Sequence, residues 1–306
     1  MKFIKLLILS FALAGIGANL HAQTKPSPTP NASPTPAMQT VLTIKNMEIK
    51  GVSPQVQAQL SNAAKLMQDG KYEESVAAHT NIIKSNPNLM LAYNNRGYCY
   101  TQIGNIELAI KDFNTALKLF PIAITYDNRG MAFLKQGDLT KALADLSKAI
   151  ELNPQGSLSY SNRAVIYVQS GKFESALTDL DKAISLSPKT AIYFTNRCLA
   201  NYNLKVYETA LKDCNTALQL DPNSAMAHGT RGAIYLQLSS FESALTDYDS
   251  AIKLGGNLAD NYFNRGYALF NLDRSEEAVE SLTKAIAARP SVIGYLYRAK
   301  VYEKLN

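Results

Sequence analysis

Three observations predict an all-α fold built as a stacked helical array. Arginine recurs at Arg96, Arg129, Arg163, Arg197, Arg231, Arg265 and Arg298, at spacings of 33 or 34 residues. Apolar and small residues follow helical spacing inside each period, as Tyr93, Gly97 and Tyr100 do at i, i+4 and i+7. Proline or glycine closes each period, and glycine also separates the two stripes in the first four, as Pro121 and Gly104 do in the stretch from Met90 to Ile122. A fixed period of this size marks units that bury a core only by stacking.

The chain has 306 residues, 46% of them apolar, and no Trp. Lys2 and Lys5 precede an apolar run from Leu6 to about Ile16, and small residues lead to Ala22-Gln23, which reads as a secretory signal peptide over 1–22. The run is shorter than the roughly 20 residues that a spanning helix needs. No Cys lies near the junction, so a lipoprotein signal is not expected. Without Lys2 and Lys5 the formal charge falls from +6 to +4, too weak and too evenly mixed with acids to argue for nucleic acid.

Residues 23–55 read as a linker and pre-repeat segment. Pro, Ser and Thr dominate 23–40, the composition of a semi-rigid extended spacer, with Asn31-Ala32-Ser33 a glycan acceptor if the source is eukaryotic. Residues 41–52 carry Leu42, Ile44, Met47, Ile49 and Val52, and form either a short strand or a segment lying against the array. Ser53-Pro54 has the form of an N-cap followed by Pro at the first helical position.

From 56 onward the units run 56–89, 90–122, 123–156, 157–190, 191–224, 225–258 and 259–291, with a half-repeat at 292–306. They place an aromatic at position 4, a small residue at 8, an aromatic at 11, Gly at 15, Ala at 20, an aromatic at 24, Ala at 27 and Pro at 32. This pattern resembles the tetratricopeptide repeat. The resemblance covers nearly all of 56–306 and implies a right-handed superhelical solenoid of about seven helix-turn-helix repeats with a C-terminal capping helix. Position 32 is Pro in six of seven units, Gly256 being the exception. The first unit departs from the pattern with Gln59, Asn62, Ser75 and His79, as terminal repeats often do. The helix from Val292 is expected to cover the last unit, with polar Glu303, Lys304 and Asn306 at its end.

Position 15 changes along the chain from Gly70, Gly104, Gly137 and Gly171 to Lys205, Ser239 and Asp273. Left-handed backbone at the later three costs about 1–2 kcal/mol each. With Asn201 in place of an aromatic at position 11, the array is expected to open first between Ala191 and Leu258.

Besides the arginines at position 7, among them Arg96, Arg129, Arg163, Arg197 and Arg231, aspartates recur at position 23: Asp112, Asp145, Asp179, Asp213 and Asp247. Pairing within a unit and pairing with the preceding unit both leave two arginines unmatched, so the sequence leaves the register open. Either way the series is expected to be a structural ion-pair ladder.

Asparagine recurs at position 6 as Asn95, Asn128, Asn162, Asn196 and Asn264. The resemblance implies that such a ladder hydrogen-bonds the backbone of an extended peptide in the concave groove; the other reading is that these amides bridge neighbouring helices. Leu91, Tyr98, Ile124, Met131, Val165, Leu199, Tyr202 and Tyr267 are expected to line the same face, which is nearly uncharged apart from Asp127, Lys135 and Asp260. An exposed apolar face of this kind marks an interaction surface. Tetratricopeptide domains that clamp acidic chaperone tails carry Lys at position 5 and Asn at position 9. Here those positions read Leu60 and Ala64, Asn94 and Tyr98, then Asp127 and Met131, so that function is not carried over.

Cys198 and Cys214, at positions 8 and 24 of one unit, are expected as two buried thiols, a disulfide being open to them in an oxidising compartment; Cys99 stays free. His79 and His228 occupy core slots. With no phosphate loop, nucleophile elbow or metal-binding helix pair, neither catalysis nor a metal or cofactor is expected. The expected role is a non-enzymatic scaffold outside the cytoplasm that holds an extended, mainly apolar segment of another protein. The alternative is an envelope assembly component that works through end or convex-face contacts, or by self-association, with residues 41–52 in its own groove.

Overall fold

The computed structural model describes residues 52–305, so the expected signal, spacer and 41–51 segment lie outside the described residues. Fifteen α-helices and no strand occur among them. In order they are α1 Pro54–Gln68, α2 Tyr72–Ser85, α3 Met90–Gln102, α4 Ile106–Leu119, α5 Ala123–Gln136, α6 Leu139–Leu152, α7 Ser157–Gln169 and α8 Phe173–Leu186. They continue with α9 Ala191–Asn203, α10 Tyr207–Leu220, α11 Ala225–Gln237, α12 Phe241–Lys253, α13 Leu258–Asn271, α14 Ser275–Ala288 and α15 Val292–Leu305. The described residues form two compact units, one ending at Ile166 and the other starting at Tyr167.

The first helix begins as its sequence predicts. Ser53 Oγ accepts the Val56 amide at 3.4 Å, and Pro54, which has no N–H to leave unpaired, opens the first turn. Each short link is a left-handed step: Gly70, Gly104, Gly137 and Gly171 have φ between 71° and 88°. Lys205, Ser239 and Asp273 adopt the same conformation at 64°, 59° and 59°, where a Cβ is penalised.

Small residues let the two helices of a repeat approach. In the unit ending at Ile166, a Cβ on Gly97 would lie 2.8 Å from Phe113 Cε1, so position 8 must be nearly bare where position 24 is large. Ala109, Ala116, Ala142 and Ala149 are fully buried at positions 20 and 27. The other unit solves the same contact differently in one repeat. Cys198 and Cys214, fully buried at positions 8 and 24, form a disulfide with Cα atoms 5.4 Å apart, which corrects the expectation of two thiols. The two positions that press a glycine against an aromatic ring elsewhere bring two cysteines within bonding range. Cys99 is buried and free.

Asn201 also departs from expectation. It is 5% exposed and its Nδ2 donates to Asp213 Oδ2 at 3.2 Å, so a polar residue at position 11 is satisfied rather than a defect. At the end of the chain α15 packs on α13 and α14 through Val301, which is fully buried beside Phe263, Leu269 and Leu282. Its outer side is mixed: Glu303 and Lys304 are exposed as the polar closure requires, but so are Val292, Tyr295, Leu296, Tyr302 and Leu305.

Candidate functional site: the arginine ladder and the inner face

The position-7 arginines rise from first helices, and Arg96, Arg129, Arg197, Arg231 and Arg265 each divide the guanidinium between two second helices. Within its own repeat, Arg96 donates from Nε and Nη2 to Asp112 at 2.7 and 2.8 Å, Arg129 to Asp145 at 2.7 and 2.7 Å, Arg197 to Asp213 at 2.9 and 2.6 Å, and Arg231 to Asp247 at 2.8 and 2.8 Å. These are the fork-on-carboxylate pairs for which Arg is suited. The remaining Nη1 reaches back to position 25 of the preceding repeat: Thr80, Asn114, Asp181 and Asn215 at 2.6–3.0 Å. Arg163 reaches Ser147 in the same way at 3.2 Å. Asp179, the remaining aspartate of the series, is buried.

Position 25 was missed by the sequence reading, although it holds an acceptor in every unit: Thr80, Asn114, Ser147, Asp181, Asn215, Asp249 and Thr283. Arg265 shows how the two sites trade roles. Its own position 23 is Ser281, so its Nε goes back to Asp249 at 2.6 Å and its Nη1 goes to Ser281 Oγ. Aromatic rings at position 4 or 11 cover the cations, with Tyr93 and Tyr100 5.7 and 5.8 Å from Arg96 Cζ. His228 adds a second donor to Asp247, its Nδ1 lying 2.9 Å from Oδ1.

The amide series divides. In the unit ending at Ile166, Asn94 Nδ2 donates to Asn95 Oδ1 at 3.2 Å, and Asn128 Nδ2 donates to Asn94 Oδ1 at 3.1 Å, so two first helices are bridged by amides. Asn95 is 2% exposed and Asn196 7%, so neither faces an open groove; Asn128, Asn162 and Asn264 are half-buried. Leu91 and Tyr202 are likewise core residues. Leu91 packs with Leu60 and Ile82, and Tyr202 packs beside the disulfide and Ile234. A first helix must bury the side that meets the next repeat, and positions 2 and 12 fall partly on it. Tyr98, Ile124, Met131, Val165, Leu199 and Tyr267 remain half-buried. Two of them lean on neighbours, Tyr98 edge-on to Tyr72 at 6.4 Å and Tyr267 to Tyr297 at 5.8 Å.

The charged residues of this face are tied down. Asp127 is buried, receives the hydroxyl of Ser159 and the amide of Asn162, and leaves Oδ1 without a hydrogen-bond partner. Burial outweighs those two bonds and pushes its carboxyl up to about 7. Lys135 donates to the Thr101 carbonyl at 3.1 Å, and burial lowers its ammonium. Asp260 pairs with Arg289, and burial is the main reason that its carboxyl lies above its usual range. In the first repeat Ser75 Oγ donates to the Ala63 carbonyl at 3.0 Å, and His79 Nδ1 lies 2.9 Å from the Ser75 carbonyl. Burial pushes the His79 imidazole down to about 4, and its Nε2 has no partner. No group of three or more metal-ligating side chains occurs among the described residues.

Family models described as "Tetratricopeptide repeat" match residues 91–121 and 123–155, and 158–190 and 259–292. The Hsp70-Hsp90 organizing protein 3 of Arabidopsis thaliana is 41% identical over 51 residues, 17% of this chain and 9% of that protein. Among solved structures, the Cut9-Hcn1 hetero-tetramer of APC/C aligns with a TM-score of 0.75 at 16% identity, over 87% of this chain and 52% of the matched one. A tetratricopeptide repeat protein from Parabacteroides merdae gives 0.61 at 16% identity, over 81% and 99% of the two chains. Pseudomonas aeruginosa pilF gives 0.62 at 20%, over 69% and 97%. The chain thus spans about half of the first of these structures and a small part of the curated relative. At these identities the structural likenesses establish the fold: an all-α array of tetratricopeptide repeats.

Proposed function

Starting from a chain that carries tetratricopeptide repeats, a fold that serves protein-protein interaction, we propose a non-enzymatic scaffold outside the cytoplasm whose inner face holds an extended, mainly apolar segment of a partner. The observation that carries the reading is a half-buried row on the first helices of the unit ending at Ile166: Tyr98, Ile124, Asn128, Met131, Asn162 and Val165. It sets amides beside apolar side chains, and its acid, Asp127, is sunk below the surface. Asn128 spends one N–H on Asn94, which leaves its carbonyl for a peptide amide. The extracytoplasmic placement rests on the basic and apolar N-terminus and is supported by the Cys198–Cys214 bond, which an oxidising compartment sustains.

A photo-crosslinking residue at Met131 should capture the partner from the extracytoplasmic fraction, and one at exposed Lys111 should not. Asn128→Ala with Asn162→Ala should weaken that capture by about 1 kcal/mol per lost amide bond while the helical content stays unchanged. Equal crosslinking from both positions would remove the inner face from the reading.

The exposed face of α15 favours a second reading, assembly through the end of the array, because Tyr295, Leu296 and Tyr302 form an apolar surface there.

A further inference from the structure

Along the inner face of the unit ending at Ile166, position 6 of one repeat reaches back to position 5 of the repeat before it. Asn128 Nδ2 donates to Asn94 Oδ1 at 3.1 Å, and the Asn162 amide donates to Asp127. The seam between α3 and α5 is thus amide on amide, and the seam between α5 and α7 is amide on acid. Position 5 reads Leu60, Asn94, Asp127, Ser161, Thr195, Gly229 and Phe263 along the array, so this one slot carries charge. Stacking does not ask for it, because neutral residues serve the same position in the adjoining repeats.

The carboxylate is also incompletely satisfied. Its Oδ2 takes the Ser159 hydroxyl, while Oδ1 is buried without a hydrogen-bond partner among the described residues. A bare buried oxygen costs free energy until a donor reaches it. Asp127 keeps 6% of its surface exposed, at the foot of the half-buried row of Asn128, Met131 and Asn162. Its χ2 torsion has broad wells, so Oδ1 can turn up toward that row. The charged groups around it are engaged elsewhere. Asp112 on α4 and Asp145 on α6 are gripped by Arg96 and Arg129, and Arg163 on α7 reaches Ser147. Lys135, eight residues on along α5 and therefore about 12 Å away, is held by the Thr101 carbonyl.

We propose that Asp127 is the specificity determinant of the inner face, taking the cationic head of one basic side chain in an otherwise apolar partner segment. A backbone N–H would fill Oδ1 but leave the negative charge buried, whereas a cation answers both deficits. Met131 and Val165, half-buried on α5 and α7, suit the apolar stem of such a side chain. Burial, Ser159 and Asn162 set the proton affinity of the acid, so a proton and the partner's cation compete for one group. The inference rests on the inner-face reading above and names the residue that this face selects.

The test uses the full chain with a photo-crosslinking residue at Met131 and three labelled peptides: acetyl-TVLKVLT-amide and the versions with norleucine or glutamine in place of its lysine. At pH 8 the lysine peptide should crosslink at about tenfold lower concentration than the norleucine peptide, the scale of a charge-assisted hydrogen bond. The two should converge at pH 5, where Asp127 keeps its proton. Asp127→Asn should erase the preference at both pH values while its circular dichroism matches the parent; should that variant not fold, the pH series on the unaltered chain decides. Equal crosslinking of the lysine and norleucine peptides at pH 8, or a preference that survives pH 5 or a folded Asp127→Asn, overturns the proposal. The inner face would then still stand, because the peptides reach Met131. A glutamine peptide as effective as the lysine peptide assigns Oδ1 to a neutral donor and overturns it too. If no peptide crosslinks at Met131, the inner-face reading falls and takes this inference with it.

Discussion

The unit ending at Ile166 and the unit starting at Tyr167 build the same repeat with different materials. The first turns on glycines, Gly70, Gly104 and Gly137, and keeps polar groups inside: Ser75 with His79, Asn94 with Asn128, and Asp127 with Ser159. The second keeps Gly171 in its first turn, then turns on Lys205, Ser239 and Asp273 in the same left-handed conformation, and replaces one glycine-aromatic contact by a disulfide. Stacking therefore dictates the turn geometry whichever residue occupies it, and each unit bears its own local cost. Those costs should respond to different conditions.

The largest contrast is redox. Reducing Cys198–Cys214 should cost the second unit about 2–4 kcal/mol, the range for a bond that closes a short loop. Hydrogen exchange should then quicken across α9 and α10 and leave α1 to α6 unchanged. With the bond intact, residues 191–224 should not be the first to open, despite left-handed Lys205. Unchanged exchange after reduction would show that the repeat is held by packing alone.

The next contrast is pH. Burial raises Asp127 from 3.8 to about 7, so between those values the folded unit binds the extra proton and loses stability as pH rises, the full penalty applying above 7. Asp127→Asn should stabilise the first unit by about 1–3 kcal/mol at pH 8 and hardly at all at pH 4. His79 has the opposite sign. Lowered from 6.5 to about 4, its neutral form supports the fold above 6.5, and that support is lost as pH falls toward 4. His79→Phe, which restores the aromatic seen as Phe113 in the next repeat, should leave a unit that gains stability steadily from pH 7 to 4. Urea midpoints across this range are the measurement, and a pH-independent midpoint in both variants would refute the assignment.

The smallest effects belong to the turns. Glycine at 205, 239 or 273 should stabilise the second unit by roughly 0.5–1 kcal/mol each, the steric relief being partly offset by the freedom that glycine adds to the unfolded chain. Thermal melting of the single variants tests this; a loss would mean that the side chain at that position contributes more than its backbone costs.

Helix class and period were legible because every repeat obeys the same local rules, and 33- or 34-residue spacing survives any single exception. The Arg-Asp ladder was half legible. Aspartate at position 23 announces itself by recurring, but position 25 alternates among Thr, Asn, Ser and Asp, and only their common ability to accept a hydrogen bond links them. The candidate inner face was least legible. Leu91 and Tyr202 share sequence positions with half-buried neighbours, and whether such a residue lines a surface or fills a core depends on how closely the next repeat approaches.

By itself the sequence determined the all-α repeat, the left-handed turns and the pairing of small with bulky positions, because each follows from contacts within some 34 residues. The tertiary structure decided the remainder: which amides bridge helices, that Cys198 and Cys214 lie within bonding distance, that Asp127 is sunk, and that α15 shows aromatic residues to solvent. Those outcomes depend on the distance between helices and on whether a neighbour is present at all, and a periodic pattern encodes neither.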